Sequence, residues 1–578
     1  MTFSQMKLVL PVGAVCAALT LGATDYWVSP DGTGDGLSRE EPAGNLVVLA
    51  TYTATRPGDV IHLLPGAYDV STAVDRGEYG GKRLEMEINT GVTVVGTTGN
   101  PADVVLDAKG LCRVAWMKGT GCRIQDVTIR NGRTGDQGGG LCTVTADYVQ
   151  RDPRLNYTVD HCVIENCVAE YQGGAGNGGR WTNCTIRACQ AVYSQAYAGH
   201  NAPCNGWGGG VFGGELVDCT VADCYAYNSG GAVAGGTDNV GHIYPLFATG
   251  CTFSNCWANC ENGGGAAGYD LGDVNRRCNL TACTIVGNQA RRDAFVDHDA
   301  LGGGISGTYA ERCEIRDNFA GRHGGGAWNV KAVGCVFRGN RATSCGGAGI
   351  ECAFEDCALE RNVAGDTGGA AYNCSTRRCT VLSNTSGLFG ALYRGHHVGD
   401  VVCFNEAVRN DQFDNGGALG ADASGHDALA ESCTFFWNAG GGAAVANAGL
   451  RNCIIWGQGG QSSFRDLTLM ENCYVYTTEN AFPEFAVNCR RGDFAGFVGE
   501  KANREDPVAT MRALEGVARE SIANLGLRHA SPCVNAGVNA DWMDDALDLL
   551  GTRRIREGVV DIGAFECSVA AGMSINVR

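Results

Sequence analysis

The chain has 578 residues, and its 44 Lys+Arg against 62 Asp+Glu leave a net charge of −18, which argues against nucleic acid or an anionic membrane surface as the main partner. Its 87 Gly occur with only 12 Pro and without a G-X-Y period, so it is not collagen-like, and 44% hydrophobic with 18% charged residues excludes a disordered tail. A packed core has to account for both the glycines and the 30 cysteines.

Residues 1–23 read as a secretory signal peptide: a cationic start, MTFSQMK, then the apolar run LVLPVGAVCAALTLGA ending at the small residue Ala23. The run is shorter than the roughly 20 residues a spanning helix needs, and no transmembrane span is expected elsewhere. Export would place the chain where disulfides can persist. Residues 24–110 are expected to form an N-terminal cap and the first coils, with LVVLATYTATRP as a short amphipathic cap helix.

From about 111 to 480 the chain repeats itself. The blocks CVIENCVAE, CTIRACQAV, CTVADCYAY, CTFSNCWAN, CTIVGNQAR, CEIRDNFAG, CVFRGNRAT, CALERNVAG and CTVLSNTSG share a leading Cys, an apolar residue two later, Asn or Cys five later and usually Ala seven later. Cys313, Cys335, Cys357 and Cys379 are 22 residues apart, as are Gly302, Gly324, Gly346 and Gly368. A unit this short cannot bury its own apolar stretch, so copies must stack. Alternating β-branched residues bounded by Asn and Gly-Gly turns are strand and turn chemistry. The expectation is an all-β fold, a parallel β-solenoid of one coil per 22 residues, with roughly thirteen to sixteen coils stacked about 4.8 Å apart.

In such a stack the Ala column (Ala169, Ala191, Ala226, Ala258, Ala290, Ala320, Ala342, Ala364) lies inside, and Asn288, Asn318, Asn340, Asn362 and Asn384 form an amide ladder at a turn. Gly-Gly marks corners that need positive φ or close coil contact. The leading cysteines read mainly as a buried thiol column, since free Cys packs as a small hydrophobe. Disulfides between stacked pairs such as Cys167 with Cys189, Cys224 with Cys256, or Cys352 with Cys374 stay open, because the coil spacing lies inside the Cα range that a disulfide permits. Off-period cysteines, including Cys204, Cys260 and Cys278, read as cross-links. From 481 to 578 the period breaks and the chain is expected to close the other end of the stack, where open strand edges need cover.

The GGA and GGG corners with C-x-[IF]-x-x-N resemble right-handed parallel β-helix repeat proteins, including polymorphic outer-membrane adhesins. YWVSPDGTGDG with RPGDVIHLLPGAYDV looks like the first coil of secreted β-helix proteins in the pectate-lyase-like superfamily. SPCVNAGVNADWMDDALDLLGTRRIREGVVDIGAFEC is similar to the closing motif of choice-of-anchor Q domain proteins. The resemblance implies a right-handed solenoid with capped ends, a location outside the cell or on its surface, and a disulfide between Cys533 and Cys567, which flank the closing motif.

The fold hosts lyases, hydrolases, adhesins and inert scaffolds, so function has to be read from a site. Insertions gather on two edges: 191–203 and 291–298 after the Ala column, and 237–246 and 269–277 after Gly-Gly. On the first edge Tyr193, Tyr197 and His200 would form one wall. Arg291, Arg292, Asp297, His298, Arg322 and His323 would form the other, over a floor of Tyr225, Tyr227 and Trp257. An aromatic floor between charged walls suits sugar rings. An enzyme reading is weaker: Asp356 and Glu360, about 13 Å apart, and Glu314 and Glu360, about 12 Å apart, miss the separations of roughly 5 to 9.5 Å that glycosidases use. A lyase would need acidic residues for calcium and a basic catalytic group. Asp293, Asp297 and Asp299 with Arg291 or Arg322 come nearest, followed by Asp238, Asp270 and Asp273. No cofactor is expected unless calcium serves such a lyase. The reading is a monomeric secreted or cell-surface protein that binds an extracellular polysaccharide or a cell-surface glycan or protein, adhesive rather than catalytic. A polysaccharide lyase or glycoside hydrolase, and a structural surface spacer, are the alternatives.

Overall fold

The computed structural model describes residues 22–71, 85–143, 157–193, 206–237, 243–259, 262–268, 278–291, 299–408, 416–422, 428–440, 443–456, 462–476, 481–492, 495–500 and 507–567. The chain is a right-handed parallel β-helix. A regular coil contains four short strands, as in Thr308–Glu311, Glu314–Arg316, Phe319–Ala320 and Ala327–Trp328, and the next repeats them as Lys331–Val333, Val336–Arg338, Arg341–Ala342 and Gly349–Ile350. Each strand pairs in parallel with its copies above and below, giving four sheets along the rod, numbered here first to fourth in the order of strands within a coil. Among the described residues the first sheet has 17 strands, the third 11 and the fourth 15. The stack is thus slightly longer than its repeats suggest, because Asp25–Val28, Val60–Leu63 and Thr93–Gly96 already belong to the first sheet.

Local chemistry sets the corners. The residue before each leading Cys and the residue before each ladder Asn adopt positive φ, as Arg312 (52°) and Asp317 (56°) do, so one left-handed residue turns the chain between strands. The following side chain then points inward and makes the bonds that the corner cannot. Asn318 donates its backbone N–H to Asn340 Oδ1 at 3.1 Å and its amide to Asn340 Oδ1 at 3.0 Å and Ile285 O at 3.0 Å. Cysteine fills the same position in earlier coils: Cys224 N donates to Cys256 Sγ at 3.3 Å, and Cys256 N donates to Asn288 Oδ1 at 3.0 Å. At the corner before the fourth strand Gly324 has φ 67°, and a Cβ on Gly325 would lie 2.4 Å from the Arg341 backbone. The first Gly of the pair serves the turn and the second serves the contact between coils.

The Ala column is buried throughout, and the leading cysteines of the coils lie in the main core. Cys167, Cys189, Cys224, Cys256, Cys352, Cys374 and the off-period Cys278 carry free thiols. Their sulfurs instead take part in the ladder and donate to carbonyls, as Cys335 Sγ does to Ala310 O at 3.4 Å. The Cys533–Cys567 disulfide is also not made: Cys533 is a free, buried thiol whose N–H bonds Ser531 Oγ at 3.1 Å. Its carbonyl accepts from Ile562 N, whereas the Cys567 N–H is turned onto Asp561 Oδ2 at 2.7 Å. Cys204 and Cys260 lie outside the described residues.

At the N-terminal end Leu46–Val48 is helical and continues as a wider turn through Leu49–Thr53, capped by Asn45, whose side chain accepts from Val48 N. Leu46, Val47, Leu49 and Ala50 are buried on the core. At the other end the last paired strand among the described residues is Arg490–Arg491, whose two exposed charges blunt its edge. Of the residues described after it, 495–500 and 507–567 contribute Ala495, Phe497, Leu514, Leu525, Ile562 and Phe565 to a second core on the flank of the second sheet, with Val401, Cys403, Phe436, Ile454, Trp456 and Tyr474. Among the described residues, no helix is long and apolar enough to cross a membrane.

Candidate functional site

The third sheet is two residues wide, with one facing in and one facing out. Its inner column is the alanines, and its register places Gln190, Tyr225, Trp257, Gln289, Phe319 and Arg341 in one outward column on consecutive coils. Successive members are therefore about 4.8 Å apart. Tyr225 and Trp257 stand side by side with ring centroids 5.5 Å apart and planes 41° apart. The Arg291 guanidinium sits 5.1 Å from the Trp257 ring centroid and is fixed there because its Nε donates to Gln289 Oε1 at 2.9 Å. Just past the corner, Tyr193 and Tyr227 form a second pair with centroids 5.1 Å apart. Tyr193 is exposed, and Tyr225, Tyr227 and Trp257 are half-buried. The strip offers flat apolar rings backed by a rigid sheet, with a guanidinium and a carboxamide beside them. That arrangement can stack a ring-shaped ligand and bond its polar rim.

The structure thus brings together Tyr193, Tyr225, Tyr227, Trp257 and Arg291 from the expected site. It also adds Gln289, Phe319 and Arg341, which the sequence reading passed over. The signal was available: these three occupy the position immediately before the Ala in NQA, NFA and NRA, as Tyr225 and Trp257 do in CYA and CWA. Tyr197, His200, Arg292, Asp293, Asp297 and His298 lie outside the described residues.

Of the acid–base candidates that remain, Asp299 and Arg322 form an ion pair with each other. His323 is half-buried and accepts from Cys345 N at 3.3 Å through Nδ1. Burial, with Arg322 adding to it, holds the His323 imidazole below its ordinary pKa, so it is a neutral acceptor near pH 7. Carboxylates on the outer face of the second sheet and at the corner before it are also engaged with a neighbouring coil. Glu360 takes Arg338 at 2.9 Å and Asp356 takes Arg378 at 2.6 Å. Among the described residues no group of three His, Cys, Asp or Glu is placed to hold a metal ion.

Two further polar sites went unseen in the sequence. A groove of about 330 Å³ on the first sheet is lined by Lys331, Phe354, Glu355, Arg377, His396 and Trp542, and the Trp542 indole N–H is buried there without a partner. Its charges are of both signs, so it does not select a ligand by charge. Inside the core, Thr376, His397 and Asp400 form a buried cluster, with Asp400 standing where the thiol column would place a Cys and accepting from Cys379 N at 2.7 Å. Thr376 Oγ1 bonds His397 Nδ1 at 2.8 Å and also Asp400 Oδ2, while His397 Nε2 meets Arg394 O at 3.2 Å. The hydroxyl has one proton for two neighbours, so a protonated Asp400 supplies the second. Consistently, burial raises Asp400 to about 7 and lowers His397 to about 4. This cluster is inaccessible and belongs to the core.

No family model and no curated protein sequence matches the chain. Among solved structures, pectate lyase Pel9A is similar over 95% of this chain and 98% of its own, at 13% identity and a TM-score of 0.19. A mannuronic acid specific polysaccharide family 6 lyase from human gut microbiota is similar over 81% of this chain and 91% of its own, at 9% identity and a TM-score of 0.30. Dettilon tailspike protein is similar over 72% and 66%, at 12% identity and a TM-score of 0.26. Likenesses this distant carry no argument about activity, which has to rest on the chain's own surface.

Proposed function

We propose that the outward column of the third sheet is a glycan-binding platform. On this reading the chain, exported by its N-terminal leader, acts as a monomer outside the cell or on its surface by holding a polysaccharide or a cell-surface glycan. The observation that carries the reading is the Tyr225–Trp257 pair on adjacent coils with Arg291 over the Trp257 ring. Pyranose rings present an apolar face and a hydroxyl rim, and the pair, flanked by the Arg291 guanidinium and the Gln289 carboxamide, offers the complement of both. The run from Tyr225 to Phe319 spans three coil steps, about 14 Å, long enough for a short oligosaccharide along the rod.

A glycan array probed with wild type and with Trp257→Ala tests this. Selective retention that Trp257→Ala abolishes supports the platform; retention unchanged by that substitution, or none at all, overturns it. Reducing-end and unsaturated-product assays on the retained glycans, with Arg322→Ala and Asp299→Ala beside wild type, test the lyase or hydrolase alternative. In that alternative turnover would depend on the pair, with calcium as the cofactor.

A further inference from the structure

The thiol columns end at a residue unlike the others. Most described cysteines are buried, but Cys489 and Cys345 are only partly covered. Cys345 faces oxygen: its sulfur accepts from Thr367 Oγ1 at 3.2 Å and touches Ser344 Oγ at 3.4 Å. Cys489 instead faces a thiol. It lies on the last paired coil, directly before Arg490, and Arg490 pairs with Tyr474, which directly follows Cys473. Cys473 and Cys489 are therefore stacked at the coil spacing of about 4.8 Å, within the range that a disulfide tolerates. The backbone N–H of Cys473 donates to Cys489 Sγ at 3.5 Å, and Cys473 itself is fully buried. Cys489 itself is only partly covered and its sulfur lies at an exposed position, where it meets Val487 O, so the sulfur is reachable from solvent.

This is the arrangement of an attacking thiol and a resolving thiol, with the attacker outside and its partner one step inward. Hydrogen bonds from the Cys473 side chain and backbone favour the Cys489 thiolate and hold its pKa at about 7, below the ordinary thiol value. The thiolate is the nucleophile in exchange, and a value near ambient pH suits it to attack.

We propose that Cys489 and Cys473 form a thiol–disulfide exchange site for low-molecular-weight disulfides at the C-terminal end of the solenoid. The Cys489 thiolate attacks one sulfur of the small disulfide, whose S–S bond breaks and releases one thiol, leaving Cys489 in a mixed disulfide. Cys473 gives up its proton and attacks the Cys489 sulfur. The second small thiol leaves with a proton, and the Cys473–Cys489 bond closes. Two protein thiols are oxidised and one small disulfide is reduced to two thiols. The product staples the last coil to its neighbour. A reductant reverses it.

The test treats the native full-length chain with oxidised glutathione and maps every cysteine peptide by mass spectrometry, with unfolded chain as the measure of full reactivity. In wild type, peptides containing Cys473 and Cys489 are expected to become linked with loss of two hydrogens, at least tenfold faster than any change at Cys345. In Cys473→Ser the reaction should stop at a glutathione adduct on Cys489, and in Cys489→Ser neither adduct nor link should form at these positions. A wild-type chain that stops at the adduct, or one whose Cys489 reacts only after unfolding, would overturn the proposal.

Discussion

The coils between 299 and 364 and the described parts of those between 395 and 476 stack in the same four sheets, but they differ on the outer side of the second sheet. In the first group that face carries Glu314, Arg316, Arg338 and Glu360, with Arg316 paired to Glu314 on its own strand and Arg338 paired to Glu360 of the next coil. In the second it carries Val401, Phe436, Ile454 and Trp456, buried under residues 495–567. The coils whose second sheet lacks that apolar cover are held by ladders inside: thiol, amide and alanine columns repeated at one spacing. The flanked coils tolerate breaks in those columns, such as Asp400 among the cysteines, and bulky left-handed corners such as Phe404 (φ 60°) and Trp437 (φ 52°). Phe404 packs on Phe436 and under the Arg519 guanidinium at 4.1 Å, so the flank offsets strain that an isolated coil would carry alone.

Removing the charge that organises the flank should break this difference most strongly. Arg554 is buried with Glu566 at 3.1 Å, and it bonds Gly563 O at 3.0 Å. Around it Asp548 and Asp561 accept backbone N–H groups of the closing motif, including Glu566 N and Cys567 N. Arg554→Ala leaves buried carboxyls without their cation and should cost about 3–5 kcal/mol, read as a lower urea midpoint at pH 7. Arg554→Met with Glu566→Gln should recover part of it. A change below 1 kcal/mol in the single variant would mean the flank is not organised by this pair.

The pH dependence of the interior cluster comes next. Asp400, raised to about 7 from 3.8, contributes most in acid and loses that contribution as pH rises between those values. His397, lowered to about 4 from 6.5, does the reverse and loses stability as pH falls through that window. Between pH 4 and 6.5 the two slopes oppose each other in wild type. Asp400→Asn keeps one donor to Thr376 and one acceptor for Cys379 N, and leaves only the histidine slope. Its stability should therefore rise with pH across that window by on the order of 3 kcal/mol, whereas wild type stays nearly flat. Equal slopes in the two would contradict the cluster's proton assignment.

The ladders can be tested in the coils that lack the second core. Asn340→Ala leaves the Asn318 N–H and amide without their acceptor and should cost about 2 kcal/mol. Asn340→Cys should cost less, because cysteine already fills this position in the coils of Cys224 and Cys256. A Cys variant as damaged as the Ala variant would show that the two side chains are not equivalent ladder members.

Much of this was legible in the residues. The repeat of 22, the buried Ala and Cys columns, the Asn ladder and the Gly-Gly corners follow from spacing and side-chain type. The left-handed corners before Cys and Asn were not, because residues as different as Arg312, Asp317 and Phe404 occupy them. Nor was the flank, although its signal exists: alternation after the leading position gives way to apolar runs in TFFW and IIW, as strands covered on both faces do. The expected Cys533–Cys567 link rested on the two cysteines flanking one motif, and sequence position does not bring sulfurs together. For the candidate site, reading the residue before each Ala as an outward column would have placed Gln289, Phe319 and Arg341 beside Trp257.

Calorimetric titration of one glycan retained on the array, against wild type, Trp257→Ala, Tyr225→Ala and Thr252→Ala, tests the functional account most directly. Thr252 lies in the coil of Trp257 but faces outward from the second sheet. The account predicts roughly tenfold weaker binding, about 1.4 kcal/mol, for each aromatic substitution and no change for Thr252→Ala. Equal affinity in all four proteins would contradict it.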